Sequence, residues 1–175
     1  MNGWDEAVEA VARTRGDRLL RTAYLLCGDV DGAKDLVQDA LIRTMGSSRR
    51  RRGAGSAAPS LPEAEAYVRR AITSQFLDDR RSATRWRSVE HLVVQPESDG
   101  AGEARRTDTR LDVVAALASL PPRPRTCLVL RFYADLTVPQ IAAELELAEG
   151  SVKRYLHDGV TALGARLAPV TSEEA

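Results

Sequence analysis

The stretch TVPQIAAELELAEGSVKRYLHDGV, residues 137–160, predicts two short helices joined by a tight turn. Thr137 can cap the first helix, Pro139 fits its first turn, and the turn covers 146–150. Apolar residues recur at helical spacing in both helices, as in a helix-turn-helix, whose second helix contacts DNA. Four exposed residues early in this second helix are therefore candidate DNA ligands: Ser151, Lys153, Arg154 and His157. The alternative is an ordinary helical hairpin with a solvated outer face.

Residues 31–45 carry the most regular amphipathic pattern in the chain. Apolar residues from Ala33 to Leu41 fall on one helical face. The opposite face carries Asp35, Gln38 and Asp39, which suit either solvent or a protein partner. Residues 46–61 follow with Gly, Ser, Ala and Pro and no periodicity, so they are predicted to form a loop.

A basic and aromatic cluster occupies residues 69–87, on a helix predicted to begin near Pro62. Its arginines could neutralise phosphates, and Phe76 or Trp86 could stack on an unpaired base. The alternative is a solvated helix face with Trp86 in the core. The arginines of the cluster are Arg69, Arg70, Arg80, Arg81, Arg85 and Arg87.

Strand patterns are poor throughout, so an all-α fold of two small helical domains is predicted. The N-terminal domain is expected over residues 1–92 and the C-terminal domain, with the helix-turn-helix, over 109–170. Residues 93–108 are polar and contain glycine, which is typical of a flexible linker.

Composition excludes several classes of protein. No apolar run approaches the roughly 20 residues of a membrane span, and the acidic N-terminus does not resemble a signal peptide, so a cytoplasmic protein without membrane insertion is expected. The two cysteines and two histidines lack metal-ligand spacing, and no catalytic motif occurs. We therefore expect no metal, no cofactor and no enzyme activity.

The 175 residues carry 25 basic and 25 acidic side chains, which argues against a tight free-standing DNA binder.

Three stretches, in this order, resemble bacterial sigma-70-type factors. DVDGAKDLVQDALIRT (29–44) is similar to their core-polymerase-binding helix, and AYVRRAITSQFLDDRR (66–81) to the helix that melts and reads the −10 promoter element. Residues 120–167 resemble their −35-reading domain. The short chain has no room for a further middle domain, which matches the extracytoplasmic-function, or group IV, class.

The resemblance implies roles by position. A sigma factor binds core RNA polymerase, directs it to promoter DNA and leaves catalysis to the polymerase, and an anti-sigma factor is a further candidate partner. The loop at 46–61 would capture a flipped −10 base. The polymerase-binding residues would be Asp35, Leu36, Gln38 and Asp39. The −10 residues would be Arg70, Ser74, Gln75, Arg80, Arg81 and Trp86, and the −35 residues Ser151, Lys153, Arg154 and His157.

Two departures from the family pattern lie in the turn of the helix-turn-helix. Glu146 occupies the usual turn glycine, where a positive φ costs a non-glycine residue roughly 1 kcal/mol, and Ala148 replaces the usual serine cap. Weak or unusual −35 recognition is therefore expected. Two alternatives remain: a stand-alone helix-turn-helix regulator, and a degenerate sigma factor that acts only as a protein-interaction module.

Overall fold

Three long helices form the N-terminal half of the molecule. The computed structural model describes residues 3–51, 58–90 and 109–167, with side chains for 3–46, 58–82 and 113–166. Helix α1 spans Gly3–Cys27, α2 spans Val30–Arg51 and α3 spans Leu61–Glu90. Each helix packs its apolar stripe against the other two, as the helical spacing predicts.

Local side-chain contacts determine where these helices begin and end. Gly28 closes α1 with a φ of +88°, and its N–H donates to the Tyr24 carbonyl at 2.8 Å. Asp29 caps α2, because its Oδ1 accepts from the Gly32 N–H at 2.6 Å. At the start of α3, the Ser60 N–H and hydroxyl both donate to Glu63 Oε2 at 2.8 Å. These bonds hold the pKa of the Glu63 carboxyl below its usual range.

The predicted loop at 46–61 is wrong over its first six residues, since α2 continues through Arg51. Arginine is a good helix former, and no proline occurs before Pro59, so the helix continues past the single Gly46. Residues 52–57 of the predicted loop lie outside the described residues. Residues 58–60 connect to α3.

Four further helices and a π-helical turn form the C-terminal half. Helix α4 spans Thr109–Ala118, and α5 (Pro122–Leu128) continues directly into the π-helical turn at Val129–Tyr133. Helices α6 (Val138–Leu145) and α7 (Glu149–Leu167) form the predicted helix-turn-helix. Thr137 caps α6 in a capping box with Gln140, and Pro139 lies in the first turn. The described residues contain no strand, and the all-α prediction is confirmed.

The two halves share part of their core. One cluster of buried side chains includes Leu26 and Ile72 from the N-terminal half together with Leu117 and Leu128 from the C-terminal half. A second, smaller cluster lies inside the C-terminal half, around Cys127, Leu130, Ile141 and Val152. The predicted linker at 93–108 lies outside the described residues, so the division into two domains stays a prediction.

Candidate functional site

The outer face of helix α7 carries exposed basic side chains, with the exposed Asp158 beside them. Val152 is fully buried, whereas Lys153, Arg154 and His157 are exposed and Ser151 is half-buried. The Arg154 guanidinium lies 5.3 Å from the centre of the Tyr155 ring. The structure therefore places Lys153, Arg154 and His157 on the accessible side of the second helix, with Ser151 at its half-buried edge.

The turn before α7 has the backbone geometry that its sequence predicts. Glu146 has φ 53° and ψ 49°, in the left-handed region. The Leu147 N–H donates to the Ala142 carbonyl at 2.9 Å, which closes the end of α6. Ala148 has no side-chain acceptor, but its carbonyl accepts from the N–H groups of Ser151 and Val152. The helix-turn-helix therefore forms with both departures from the family pattern in place.

Helix α2 separates its predicted polymerase-binding residues onto two sides. Asp35, Gln38 and Asp39 are exposed, whereas Leu36 is 5% exposed and belongs to the core. The Asp39 carboxylate accepts a hydrogen bond from Gln75 Nε2 at 2.9 Å. The structure therefore groups the three polar residues and places Leu36 away from them.

The predicted −10 residues on α3 are also divided. Arg70, Ser74 and Arg81 are exposed, and Arg81 forms an ion pair with Asp78 at 3.4 Å. Gln75 is 6% exposed and donates to Asp39, so its side chain lies between α2 and α3. Arg80 lies 5.4 Å from the centre of the Phe76 ring. The Trp86 side chain lies outside the described residues.

A buried arginine that the sequence analysis missed joins the two halves. Arg125 Nη1 donates to the Leu26 carbonyl at 2.7 Å, and Nη2 donates to the carbonyls of Leu120, at 2.9 Å, and Ala118. Burial lowers the pKa of Arg125 to about 10, and the nearby Arg80 contributes to the shift. In the sequence, the only local indication that Arg125 is buried was its position inside the apolar pattern that follows Pro121 and Pro122.

Neither a metal centre nor a membrane span appears in the described part of the chain. No group of three or more His, Cys, Asp or Glu side chains there could hold a metal ion. No helix there is long and apolar enough to cross a bilayer.

Cys27 and Cys127 are free thiols, and burial raises the pKa of both.

Comparison with known proteins places the chain in a family. The family model "Sigma-70, region 4" matches residues 110–163. The RNA polymerase sigma-E factor of Streptomyces avermitilis is 32% identical over 91% of this chain and 84% of its own length. The chain belongs to the extracytoplasmic-function sigma factors of the sigma-70 family. The all-α fold and the helix-turn-helix in region 4 agree with this membership.

Other relatives of this sigma factor align over most of the chain. The ECF RNA polymerase sigma factor SigE of Mycolicibacterium smegmatis is 34% identical over the whole chain, which spans 65% of that relative's length. SigL of Mycobacterium tuberculosis is 34% identical over 83% of the chain and 80% of its own length. A solved chain from the complex of sigma factor RpoE with anti-sigma factor NepR, from Bartonella quintana, shares the fold. It has a TM-score of 0.61 and 20% identity over 85% of this chain and 89% of its own.

Proposed function

We propose that this sigma factor binds core RNA polymerase through the exposed face of α2 and contacts promoter DNA through α3 and α7. It directs the polymerase to promoters and assists melting, while the polymerase carries out catalysis in the cytoplasm. Family membership favours this function over a stand-alone regulator. An anti-sigma factor is a candidate partner, since a protein of the same fold was crystallised with one.

The proposed polymerase contact rests on the two sides of α2, of which one is buried in the core and the other is exposed. Ala33, Leu36 and Ala40 pack in the core, which fixes the direction in which the opposite side of the helix points. Asp35, Gln38 and Asp39 then form a polar surface over about one helical turn. A rigid helix that presents carboxylates and an amide suits a protein partner with basic and polar side chains.

The outer face of α7 supports the DNA contact. Lys153 and Arg154 can donate to guanine edges or to phosphates, and His157 lies one turn further along the same helix. The zero net charge of the chain fits a protein that reaches promoters within a larger complex, because the polymerase then supplies much of the affinity for DNA.

Co-elution with core RNA polymerase tests the polymerase contact. The full chain is expected to elute with the core enzyme, and the double variant Asp35→Ala, Gln38→Ala is expected to lose most of this binding. Asp39 is left unchanged, because its carboxylate accepts from Gln75 and its removal would disturb the packing of α3 on α2.

The matched control is Glu6→Ala, Glu9→Ala, two exposed positions on α1. This control is expected to co-elute like the wild-type chain. Equal retention of both double variants would show that the α2 surface is not the contact. A folded wild-type chain that binds promoter DNA alone and never binds the core enzyme would support the stand-alone regulator instead.

A further inference from the structure

A cleft with a largely apolar lining lies between α3, the start of α5 and α7. Its volume is about 670 Å³, within the range of sites that bind small molecules. Three prolines at the start of α5 line it, together with Leu77 of α3 and Tyr155 of α7. These prolines are Pro121, Pro122 and Pro124, and we call this space the proline cleft. Because each proline ring fixes the backbone φ, this part of the lining is formed before a ligand binds.

Positive charge exceeds negative charge in the lining of the proline cleft. Arg80 and Arg81 of α3 and Arg123 of α5 contribute guanidinium groups. Among the described residues that line the cleft, one carries a carboxylate, Asp158. Arg81 also pairs with Asp78 at 3.4 Å, but both side chains are more than half exposed, so this pair is weak. The lining therefore combines apolar rings with groups that favour an anion.

Two of these arginines act on neighbouring titratable groups. Burial lowers the pKa of Arg125, and the positive charge of Arg80 lowers it further, because like charges repel. Arg123 donates to the Tyr155 hydroxyl, which holds the pKa of that phenol below its usual range. Both effects indicate a positive field at the proline cleft, and a bound anion would be stabilised by the same field.

We propose that the proline cleft binds a free nucleoside phosphate, with the phosphate groups on its three arginines and the base against its prolines and Tyr155. Arginine binds phosphate through paired N–H donors. The flat face of a base packs well on apolar and aromatic rings, and guanidinium planes also stack on it. Inorganic phosphate would leave the apolar lining unused, and a neutral apolar ligand would leave the arginines unused. A nucleoside phosphate satisfies both parts of the lining.

Occupation of the proline cleft would also affect DNA binding by α3. Arg80 and Arg81 are among the predicted −10 residues, so a nucleotide and single-stranded DNA would compete for them. The concentration of the nucleotide would then set the fraction of this sigma factor that is free to bind DNA. This competition rests on the proposed function, whereas binding of the nucleotide itself does not.

Isothermal titration calorimetry of the full chain with ADP, without divalent cations, tests the proposal. ADP is expected to bind one site per chain with a Kd below about 100 µM. Adenosine and pyrophosphate each carry one part of this ligand, so each is expected to bind at least about ten-fold more weakly than ADP. Absence of ADP binding would overturn the proposal. Equal affinities for pyrophosphate and ADP would also overturn it, because the cleft would then recognise no base.

Substitution of Arg123 tests whether the nucleotide binds in the proline cleft. Arg123→Gln removes one charge and is expected to weaken ADP binding at least about five-fold, because a hydrogen bond between charged groups is lost. The matched control is Arg13→Gln, an exposed position on α1 that changes the net charge equally. This control is expected to bind ADP like the wild-type chain. Equal affinities of the two variants would contradict the proposed site.

The variant Arg81→Gln keeps the test valid if Arg123→Gln folds poorly. Arg81 is exposed, so its substitution is not expected to disturb packing, and ADP is expected to bind about three-fold more weakly. Unchanged ADP affinity in this folded variant also contradicts the proposal.

Single-stranded oligothymidine distinguishes a free nucleotide from a nucleotide of a DNA strand. Excess oligothymidine is expected to raise the apparent Kd of ADP, and an unchanged Kd would contradict the competition. Oligothymidine binding that depends on Arg123, with no ADP binding, would assign the cleft to DNA and overturn the proposal. Failure of the wild-type chain to bind core polymerase would instead contradict the proposed function, so the two failures are distinguishable.

Discussion

The Cys127 thiol is fully buried among apolar side chains, and this burial makes folding stability depend on pH. Burial raises the pKa of this thiol to about 11 from the ordinary value of 9.0. The folded state therefore keeps a proton that the unfolded state loses between these values. The stabilisation is complete below pH 9 and is lost as the pH rises through 11.

We expect the free energy of unfolding of the wild-type chain to fall by about 1 kcal/mol more than that of Cys127→Ala between roughly pH 8 and pH 10. Urea denaturation of both proteins at the two pH values measures this difference. Cys27 has a raised pKa in both proteins, so its contribution cancels. Parallel losses in both proteins would show that the Cys127 thiol does not ionise differently on unfolding.

The sequence predicted the conformation of some individual residues but not the burial or hydrogen-bond partners of others. The positive φ of Glu146 was predicted and is confirmed, because turn geometry depends on local chain direction. Gln75 was expected among the −10 residues, but its side chain is 6% exposed and donates to Asp39, because it falls on the apolar side of α3. Arg125 was missed, because its contact with the N-terminal half is a hydrogen bond to the Leu26 carbonyl of α1, 99 residues away in sequence. The functional roles of the candidate site residues stay predictions.

Helix α7 contains two glycines in different surroundings. A Cβ atom on Gly159 would lie 2.7 Å from Leu128 Cδ1 and 3.0 Å from Leu128 Cγ, and Leu128 is buried. A Cβ atom on Gly164 would meet nothing within 4 Å. The absence of a side chain at Gly159 thus lets α7 pack closely on α5, whereas Gly164 has no such constraint.

We expect Gly159→Ala to lower the free energy of unfolding by about 1–2 kcal/mol, because overpacking against Leu128 exceeds the gain in helix propensity. Gly164→Ala is the matched control and is expected to raise stability by about 0.5–1 kcal/mol. Chemical denaturation of both variants gives the comparison. Equal stabilisation by both substitutions would mean that Leu128 moves aside without cost.

Helix starts were easier to predict than helix ends in this chain. Asp29 and Thr137 act as caps because the side chain bonds to backbone groups only three residues away. The end of α2 was predicted about six residues too early, because a single glycine in an arginine-rich stretch weakens a helix without stopping it. Local sequence therefore determines where a helix can start more sharply than where it stops.

The packing of the two halves on each other was not predictable from sequence patterns. Periodicity identifies which side of a helix is apolar but not which partner covers it. The Arg69–Glu144 pair joins residues 75 positions apart, across a segment predicted to be a flexible linker. Such a contact depends on the relative placement of whole elements, which local spacing does not encode.

Arg125 is the residue whose loss is expected to affect the whole molecule most. Its guanidinium donates to carbonyls at the ends of α1 and α4, where no further helical N–H is available. A substitution to Met keeps much of the side-chain volume but leaves these buried acceptors without a donor. An unsatisfied buried carbonyl costs about 1–3 kcal/mol, so Arg125→Met is expected to lower the free energy of unfolding by about 2–4 kcal/mol.

The matched control for Arg125→Met is Arg131→Met. Arg131 also donates to a backbone carbonyl, that of Leu136 at 3.0 Å, but it is exposed, so water can replace its hydrogen bond. Its loss is expected to cost less than about 0.5 kcal/mol. Urea denaturation compares the two variants, and scattering is expected to show a larger radius of gyration for Arg125→Met alone. Similar, small losses for both would mean that apolar packing holds the two halves together without this arginine.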